Sequence, residues 1–356
     1  MRLGIIGFPQ SGKTTLFNAL TRGDQPVTVN GGRFDVHTAI VQVPDSRLER
    51  LVNLFRPKKI TPARITYADI AGVENGLGSH GFAGELLNQL TQMDGLLHVV
   101  RCFEDPAIPH SRGNLNPSRD VAALDSELLL NDLIAVERKL ERLADELHRN
   151  SNGKKGELEA EKALFVRLKV ALEEETPLRD LDFTPDDHKM LSGYGFLSQK
   201  PMLVVLNLAE GQSPPAVEYP HRQSAVVALQ GKLEMELAQL TPEDAEIFKT
   251  EYGIQELGLQ RVIRLSYDLL GYQSFFTVGE DEVRAWQTQR GASALQAAGV
   301  IHTDLQKGFI RAEVIGWEEL VQLGGLSQAR THGRLRLEGK DYILQDGEIM
   351  HVRFSV

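Results

Sequence analysis

Cysteine is almost missing from this 356-residue chain: Cys102 stands alone, so no internal disulfide and no cysteine-based zinc site can form. No apolar run approaches the roughly 20 residues that a membrane-spanning helix needs. The chain opens directly on a strand pattern, which predicts no signal peptide to remove. These absences point to a cytoplasmic protein with no membrane attachment. Excess basic charge is missing too. A formal net charge of -10 argues against coating nucleic acid through bulk electrostatics, while leaving room for a local basic patch on an otherwise acidic body. The hydrophobic fraction of 42% and charged fraction of 25% are those of an ordinary soluble protein, long enough for two or three domains.

What is present begins at Gly7-Phe8-Pro9-Gln10-Ser11-Gly12-Lys13-Thr14, a complete G-x-x-x-x-G-K-[ST] phosphate-binding loop. The apolar Met1–Ile6 before it reads as a buried strand, and Thr15–Thr21 after it as a helix. Strand, glycine loop and helix start together surround a polyphosphate with backbone N–H groups and the positive end of a helix. The expected phosphate-binding set is therefore Gly7, Pro9, Gln10, Ser11, Gly12, Lys13, Thr14 and Thr15. Within it Lys13 reaches the β- and γ-phosphates, and the Thr14 hydroxyl holds Mg²⁺.

A strand over 63–69 leads into Asp69-Ile70-Ala71-Gly72. An Asp-x-x-Gly at that place suits an Asp69 that orients a water ligand of Mg²⁺ and a Gly72 N–H that senses the γ-phosphate. No glutamine follows to orient the attacking water; the residue is Val73. Hydrolysis then has to recruit another polar group or a cation, with His80 and His110 as candidates. Lys13, Gly72 and His110 make up the expected catalytic set.

From Val121 the pattern changes. Leu129, Leu133, Val136, Leu140, Leu143 and Leu147 recur in steps of four and three, and Leu158, Phe165, Leu168 and Leu172 restart a similar seam after the polar stretch Asn150–Gly156. The economical reading is an antiparallel helical arm with Lys154 and Lys155 at its tip; two helices packed on the main domain are the alternative. Apolar strand patterns resume at Pro201. The fold class is thus α/β, a doubly wound, mostly parallel P-loop sheet over 1–120 and 200–272, with the helical insertion at 121–199. A compact α+β module fills 273–356, with strands at Ser274–Val278, Glu282–Thr288, Tyr342–Leu344 and Met350–Val356, a helix near Ala292–Ala298, and a turn at Asp346-Gly347.

Base choice is decided after the late strand. In GTP-specific P-loop proteins that loop reads Asn-Lys-x-Asp, whose carboxylate accepts from guanine N1–H and its exocyclic amine. Here it reads Asn207-Leu208-Ala209-Glu210. The lysine that covers the base is gone, and the carboxylate is one methylene longer. Adenine offers an acceptor at N1 and no amine at C2, so losing the guanine reader permits ATP. A degraded guanine site that binds neither base well, a GTPase resting on the P-loop and Asp69–Gly72 alone, and a nucleotide-binding module without hydrolysis stay open.

The Asn-x-x-Glu loop, the helical insertion and the run His98-Val-Val-Arg-Cys-Phe-Glu-Asp105 together resemble the YchF/Obg-like ATPase family. So do Ala297-Ala-Gly-Val-Ile-His-Thr-Asp-Leu-Gln-Lys-Gly-Phe-Ile-Arg-Ala-Glu-Val314 and Glu338-Gly-Lys-Asp-Tyr-Ile-Leu-Gln-Asp-Gly-Glu-Ile-Met350. The resemblance runs from about residue 2 to 356. It implies a monomeric P-loop ATPase of the translation-factor class, using Mg²⁺ and ATP in preference to GTP, with a coiled-coil arm, a C-terminal TGS domain of β-grasp form, and a ribosome or structured RNA as partner. It also implies that Asn207, Leu208 and Glu210 cradle the base and that His110 acts in hydrolysis. The loop departs from the family pattern at Gln10-Ser11, which its chemistry tolerates; two further departures bear on turnover, Arg33 where a switch threonine completes the Mg²⁺ shell, and a shortened second switch with Val73 where the family has leucine. They suggest a divergent member with weak hydrolysis.

Overall fold

The computed structural model describes residues 1–21, 27–29, 36–70, 84–110, 112–149, 155–251 and 256–355. The switch residues Arg33, Gly72, Val73 and His80, and the tip residue Lys154, lie outside these. The chain forms two compact units, one of Met1–Ile40 with Thr66–Val262, the other of Val41–Ile65 with Ile263–Val356. The expected start of the C-terminal module at 273 therefore falls inside the second unit, which also takes up a segment from early in the chain.

The first unit is built on strands β1 (Arg2–Ile6), β2 (Val27–Val29), β3 (Val36–Gln42), β5 (Arg64–Asp69), β6 (Gly95–Arg101), β7 (Met202–Asn207) and β8 (Ser224–Leu229), in the order β2-β3-β5-β1-β6-β7-β8. β1 runs parallel to β5 and β6, and β6, β7 and β8 continue parallel, while β2 and β3 pair antiparallel. Every residue of β6 and β7 is buried, as a parallel sheet covered on both faces requires. The core around Ile6, Phe8, Val100, Leu124, Leu206 and Leu208 seats the phosphate loop at the carboxyl ends of these strands. Burial pushes the Cys102 thiol up to about 12, which makes it an inert core residue.

Helix α1 (Lys13–Thr21) follows the loop, and α3 (Gly84–Thr91) precedes β6. The long helix α4 (Pro117–Arg149) has 33 residues, about 50 Å of rise. Its first turns insert Val121, Leu124 and Leu128 into the core of the nucleotide unit, and its remainder pairs with α5 (Lys155–Glu173). Glu137 binds Lys169 and Lys139 binds Glu161, both at 2.8 Å, an order that fits two helices running in opposite directions. Of the expected seam, Leu129, Val136, Phe165, Leu168 and Leu172 share one core with Leu178, Leu191 and Phe196. The returning chain thus closes the helical pair, with Tyr194 and Phe196 stacked and both against Phe165. Lys155 is the first residue of α5, at the end of the pair where the chain passes from α4 to α5.

In the second unit, β4 (Lys59–Thr61), β9 (Tyr272–Thr277), β10 (Glu282–Gln289), β11 (Phe309–Gly316), β12 (Arg336–Glu338) and β13 (Glu348–Phe354) form a sheet ordered β12-β11-β13-β9-β10-β4. A helix over Ala294–Ile301 lays Ala297 and Ala298 against Phe275, Ala312, Val314 and Met350, which is the β-grasp arrangement. One expectation needs correction, and one strand was not foreseen. Tyr342–Leu344 makes no strand, because Ile343 forms only an isolated bridge to Ser293, and the pairing falls to β12. Lys59–Thr61 joins β10 in parallel, a long-range pairing that local pattern does not signal. α2 (Ser46–Phe55), capped by Asp45, belongs here too: Arg47 lies over the Phe276 ring and binds Asp346 at 2.7 Å. Among the described residues no helix is long and apolar enough to cross a membrane.

Candidate functional site

The phosphate loop leaves β1 at Gly7, which adopts φ 150°, and re-enters a helix at Lys13. Two positions admit only glycine. A Cβ at Gly7 would stand 2.4 Å from the Val99 carbonyl oxygen, and one at Gly12 (φ 95°) 2.1 Å from Asn207 Nδ2. Gln10 holds a left-handed φ of 61°, and its exposed side chain leaves the turn open. Pro9 and Thr15 are partly buried at the rim of the loop. The Lys13 ammonium donates to the carbonyls of Gly7 (3.0 Å) and Phe8 (2.9 Å), so the lysine arches back over its own loop. That posture holds its charge over the loop, where a phosphate-loop lysine can meet a polyphosphate.

Thr14 and Asp69 come together across β1 and β5: the Thr14 hydroxyl donates to Asp69 Oδ2 at 3.2 Å. Asp69 Oδ1 is buried and accepts no hydrogen bond from the described residues. Burial pushes the Asp69 carboxyl up, against the opposing pull of the Thr14 hydrogen bond and Lys13. A hydroxyl beside a carboxylate oxygen with spare acceptor capacity is the donor set that Mg²⁺ takes from a protein when water and phosphate supply the rest. No group of three or more His, Cys, Asp or Glu is placed to hold a metal among the described residues.

Asn207 ends β7, and its amide is clamped between two glycines. Nδ2 donates to the Ser11 carbonyl and Oδ1 accepts from Gly231 N, both at 3.0 Å. A Cβ at Gly231 would lie 2.6 Å from Oδ1. Asn207 therefore ties the phosphate loop to the start of α7 (Gly231–Ala238). Leu208 turns into the core, and its N–H continues the ladder to Leu229. Glu210 is exposed, leaving it as the carboxylate available at this strand end.

His110 sits in the loop between β6 and α4. Its Nδ1 accepts from Arg112 N (3.2 Å), which puts the ring proton on Nε2, facing Asp120 Oδ2 at 3.0 Å. Arg119 grips the same buried carboxylate. Both ring nitrogens of His110 are engaged in this arrangement.

Two residues near the site escape sequence reasoning. Arg112 stacks its guanidinium 4.8 Å from the ring centroid of Phe8, inside the phosphate loop. His98 lies in β6 opposite Ile6, fully buried, with Nε2 unpartnered among the described residues. The available signal was its position, one polar residue inside the otherwise apolar run Gly95-Leu-Leu-His-Val-Val. Burial, and then the Lys13 charge, hold its imidazole down to about 3. An unfolded histidine titrates near 6.5, so acid protonates the unfolded chain first and the stability present above pH 6.5 drains away as pH falls toward 3. The expected loss from His98 is about 1.4 kcal/mol per pH unit across that window. Urea unfolding at pH 7 and pH 5 checks it: His98→Asn should show a shallower pH dependence than the natural chain, and equal slopes would refute the assignment.

Comparison with known proteins places this geometry. Residues 2–139 match the family described as 50S ribosome-binding GTPase, and residues 272–355 the family YchF-GTPase_C, described as a protein of unknown function (DUF933). The "Ribosome-binding ATPase YchF" of Bacillus subtilis is 38% identical over 99% of both chains. The "Obg-like ATPase 1" of Caenorhabditis elegans is 31% identical over all of this chain and 92% of its own. The solved structure of the Schizosaccharomyces pombe YchF GTPase overlays with a TM-score of 0.84 at 29% identity, covering 99% of this chain and 97% of that one. Matched end to end, with its phosphate loop and its C-terminal sheet both accounted for, the chain belongs to the YchF family of Obg-like ATPases.

Proposed function

We propose that this protein is an Mg²⁺-dependent ATP-binding switch with slow ATP hydrolysis, working in the cytoplasm as a monomer on the ribosome or a structured RNA. Gly7 to Thr15 hold the phosphates, Thr14 and Asp69 the metal, and Asn207, Leu208 and Glu210 frame the base, with Gly72 as the γ-phosphate sensor. The helical arm over 121–199 and the C-terminal unit, read as a TGS domain, carry the nucleotide state to the partner. The observation that carries the base choice is the clamp on Asn207. With that amide given to Ser11 and Gly231, with Leu208 buried and with no lysine in the loop, Glu210 is left to read the base. That set lacks the stacked lysine stem that covers guanine, and its carboxylate, one methylene longer than the aspartate of the guanine reader, is displaced from the guanine edge. The ribosome-binding ATPase names of the relatives support the same reading.

His110, the family's hydrolytic candidate, contributes through its clasp on Asp120 and the Arg112 backbone, which fixes the loop beside the phosphate loop. With both nitrogens engaged, a direct part for His110 in hydrolysis requires one of these two contacts to open.

Calorimetry with Mg-ATP and Mg-GTP tests the reading. ATP should bind at least about tenfold tighter, the scale set by a mismatched polar group at the base; tighter GTP binding would overturn the base assignment. Single-turnover ATP hydrolysis should be slow alone and faster with ribosomes, and a chain that binds ATP but never cleaves it would reduce the proposal to a binding module.

A further inference from the structure

Among the described residues, Arg112 is a cation beside the phosphate loop that the motif does not explain. Its ring partner, Phe8, is the first variable residue of the loop and is buried in the core, so the face that receives the guanidinium is fixed. The backbone at Arg112 is fixed as well: its N–H is held by His110 Nδ1, whose ring is pinned through Nε2 to the buried Asp120, and Gly113 N returns to the His110 carbonyl at 3.1 Å. The side chain itself is exposed, and its guanidinium makes no ion pair or hydrogen bond within the described residues. The carboxylate that feels it, Glu127, has its own pKa raised by burial, with Arg112 pulling the other way. The backbone hydrogen bonds thus hold an exposed planar cation, without a hydrogen-bonded partner among the described residues, on the ring of a phosphate-loop residue, a π face that it can leave at small cost.

We propose that Arg112 is a catalytic residue of this ATPase: its guanidinium contacts the γ-phosphate and stabilises the charge that builds there during hydrolysis. The inference rests on the ATPase reading above. In the step, the water oxygen bonds to the γ-phosphorus and the bond to the β–γ bridging oxygen breaks, its electron pair staying on ADP. The proton released by water goes to an oxygen of the departing phosphate. Arg112 stays protonated throughout and supplies charge and two parallel N–H donors. A glutamine is lacking after Gly72, and this cation offsets part of that loss. The His110–Asp120 pair then acts as the positioning device that aims Arg112.

Full-length natural protein, Arg112→Ala and Arg112→Lys are compared by single-turnover hydrolysis of Mg-ATP and by calorimetry with ADP and with ADP plus aluminium fluoride. In Arg112→Ala the hydrolysis rate should fall roughly tenfold or more, and affinity for ADP with aluminium fluoride should fall in step, while ADP alone binds as before. Arg112→Lys should recover only part of either loss, because an ammonium cannot bridge two oxygens with a planar fork. Equal losses for ADP and for the fluoride complex would mark the Phe8 stack as a structural latch and overturn the proposal. So would a rate within about twofold of the natural protein. If the natural protein binds ATP without cleaving it, the ATPase reading fails on its own, and the fluoride comparison still decides: equal affinity in natural protein and Arg112→Ala refutes a γ-phosphate contact. A natural protein that binds no nucleotide removes both.

Discussion

Lys13→Ala is expected to weaken Mg-ATP binding by roughly two orders of magnitude, about 2–3 kcal/mol, the scale of a charge-assisted contact to a charged ligand. The lysine has two tasks. Its ammonium bonds the carbonyls of Gly7 and Phe8, which keeps the loop arched, and under the proposed function its charge meets the two outer phosphates. Alanine leaves the loop glycines and the Asn207 clamp in place, so the fold should survive and its thermal unfolding should stay within a few degrees of the natural protein. Calorimetry reads the effect. Unchanged ATP affinity in a folded variant would remove the phosphate loop from the site.

The second large effect belongs to Gly12. Gly12→Ala must accept a left-handed φ of 95° and a methyl carbon 2.1 Å from Asn207 Nδ2. Backbone strain of about 1–3 kcal/mol adds to whatever it takes to push the amide away from Ser11 and Gly231. Asn207→Ala alone leaves the Ser11 carbonyl and the buried Gly231 N–H without their partner, at about 1–3 kcal/mol for each group left dry. Both single variants should lower the urea midpoint clearly and weaken ATP. The double variant should fall short of the sum by about 1 kcal/mol or more, because once the amide is gone the new methyl meets open space. Strict additivity would mean that the two residues do not share the clamp.

The phosphate loop is legible in sequence because its chemistry is local. Gly7, Gly12, Lys13 and Thr14 are spaced by the sterics of one turn, and nothing distant is needed to read them. Asp69 is legible for a similar reason, at the end of a strand that pairs directly with β1. Asn207 is legible as a position, yet its clasp on Ser11 spans most of the nucleotide unit and shows only in three dimensions. His110 carries no sign in sequence that Asp120 occupies it, and Arg112 reads as one more solvated arginine until Phe8 is found beneath it. The strand Lys59–Thr61 is invisible locally because it is short, half polar, and defined only by β10 far along the chain.

That last pairing belongs to the segment Val41–Ile65, which leaves the first unit, joins the second, and hands the chain back. The two units are therefore stitched, and no single cut separates them. During synthesis Leu48 and Leu51 of α2 emerge early, while β10, against which α2 packs, and the Phe276 ring beneath Arg47 come more than 200 residues later. Until the C-terminus is released, the growing chain holds a stretch of apolar side chains with no core to enter. A truncation before residue 263 would fix that interval permanently, yielding a nucleotide unit with an unpaired, aggregation-prone loop in place of a clean ATPase fragment.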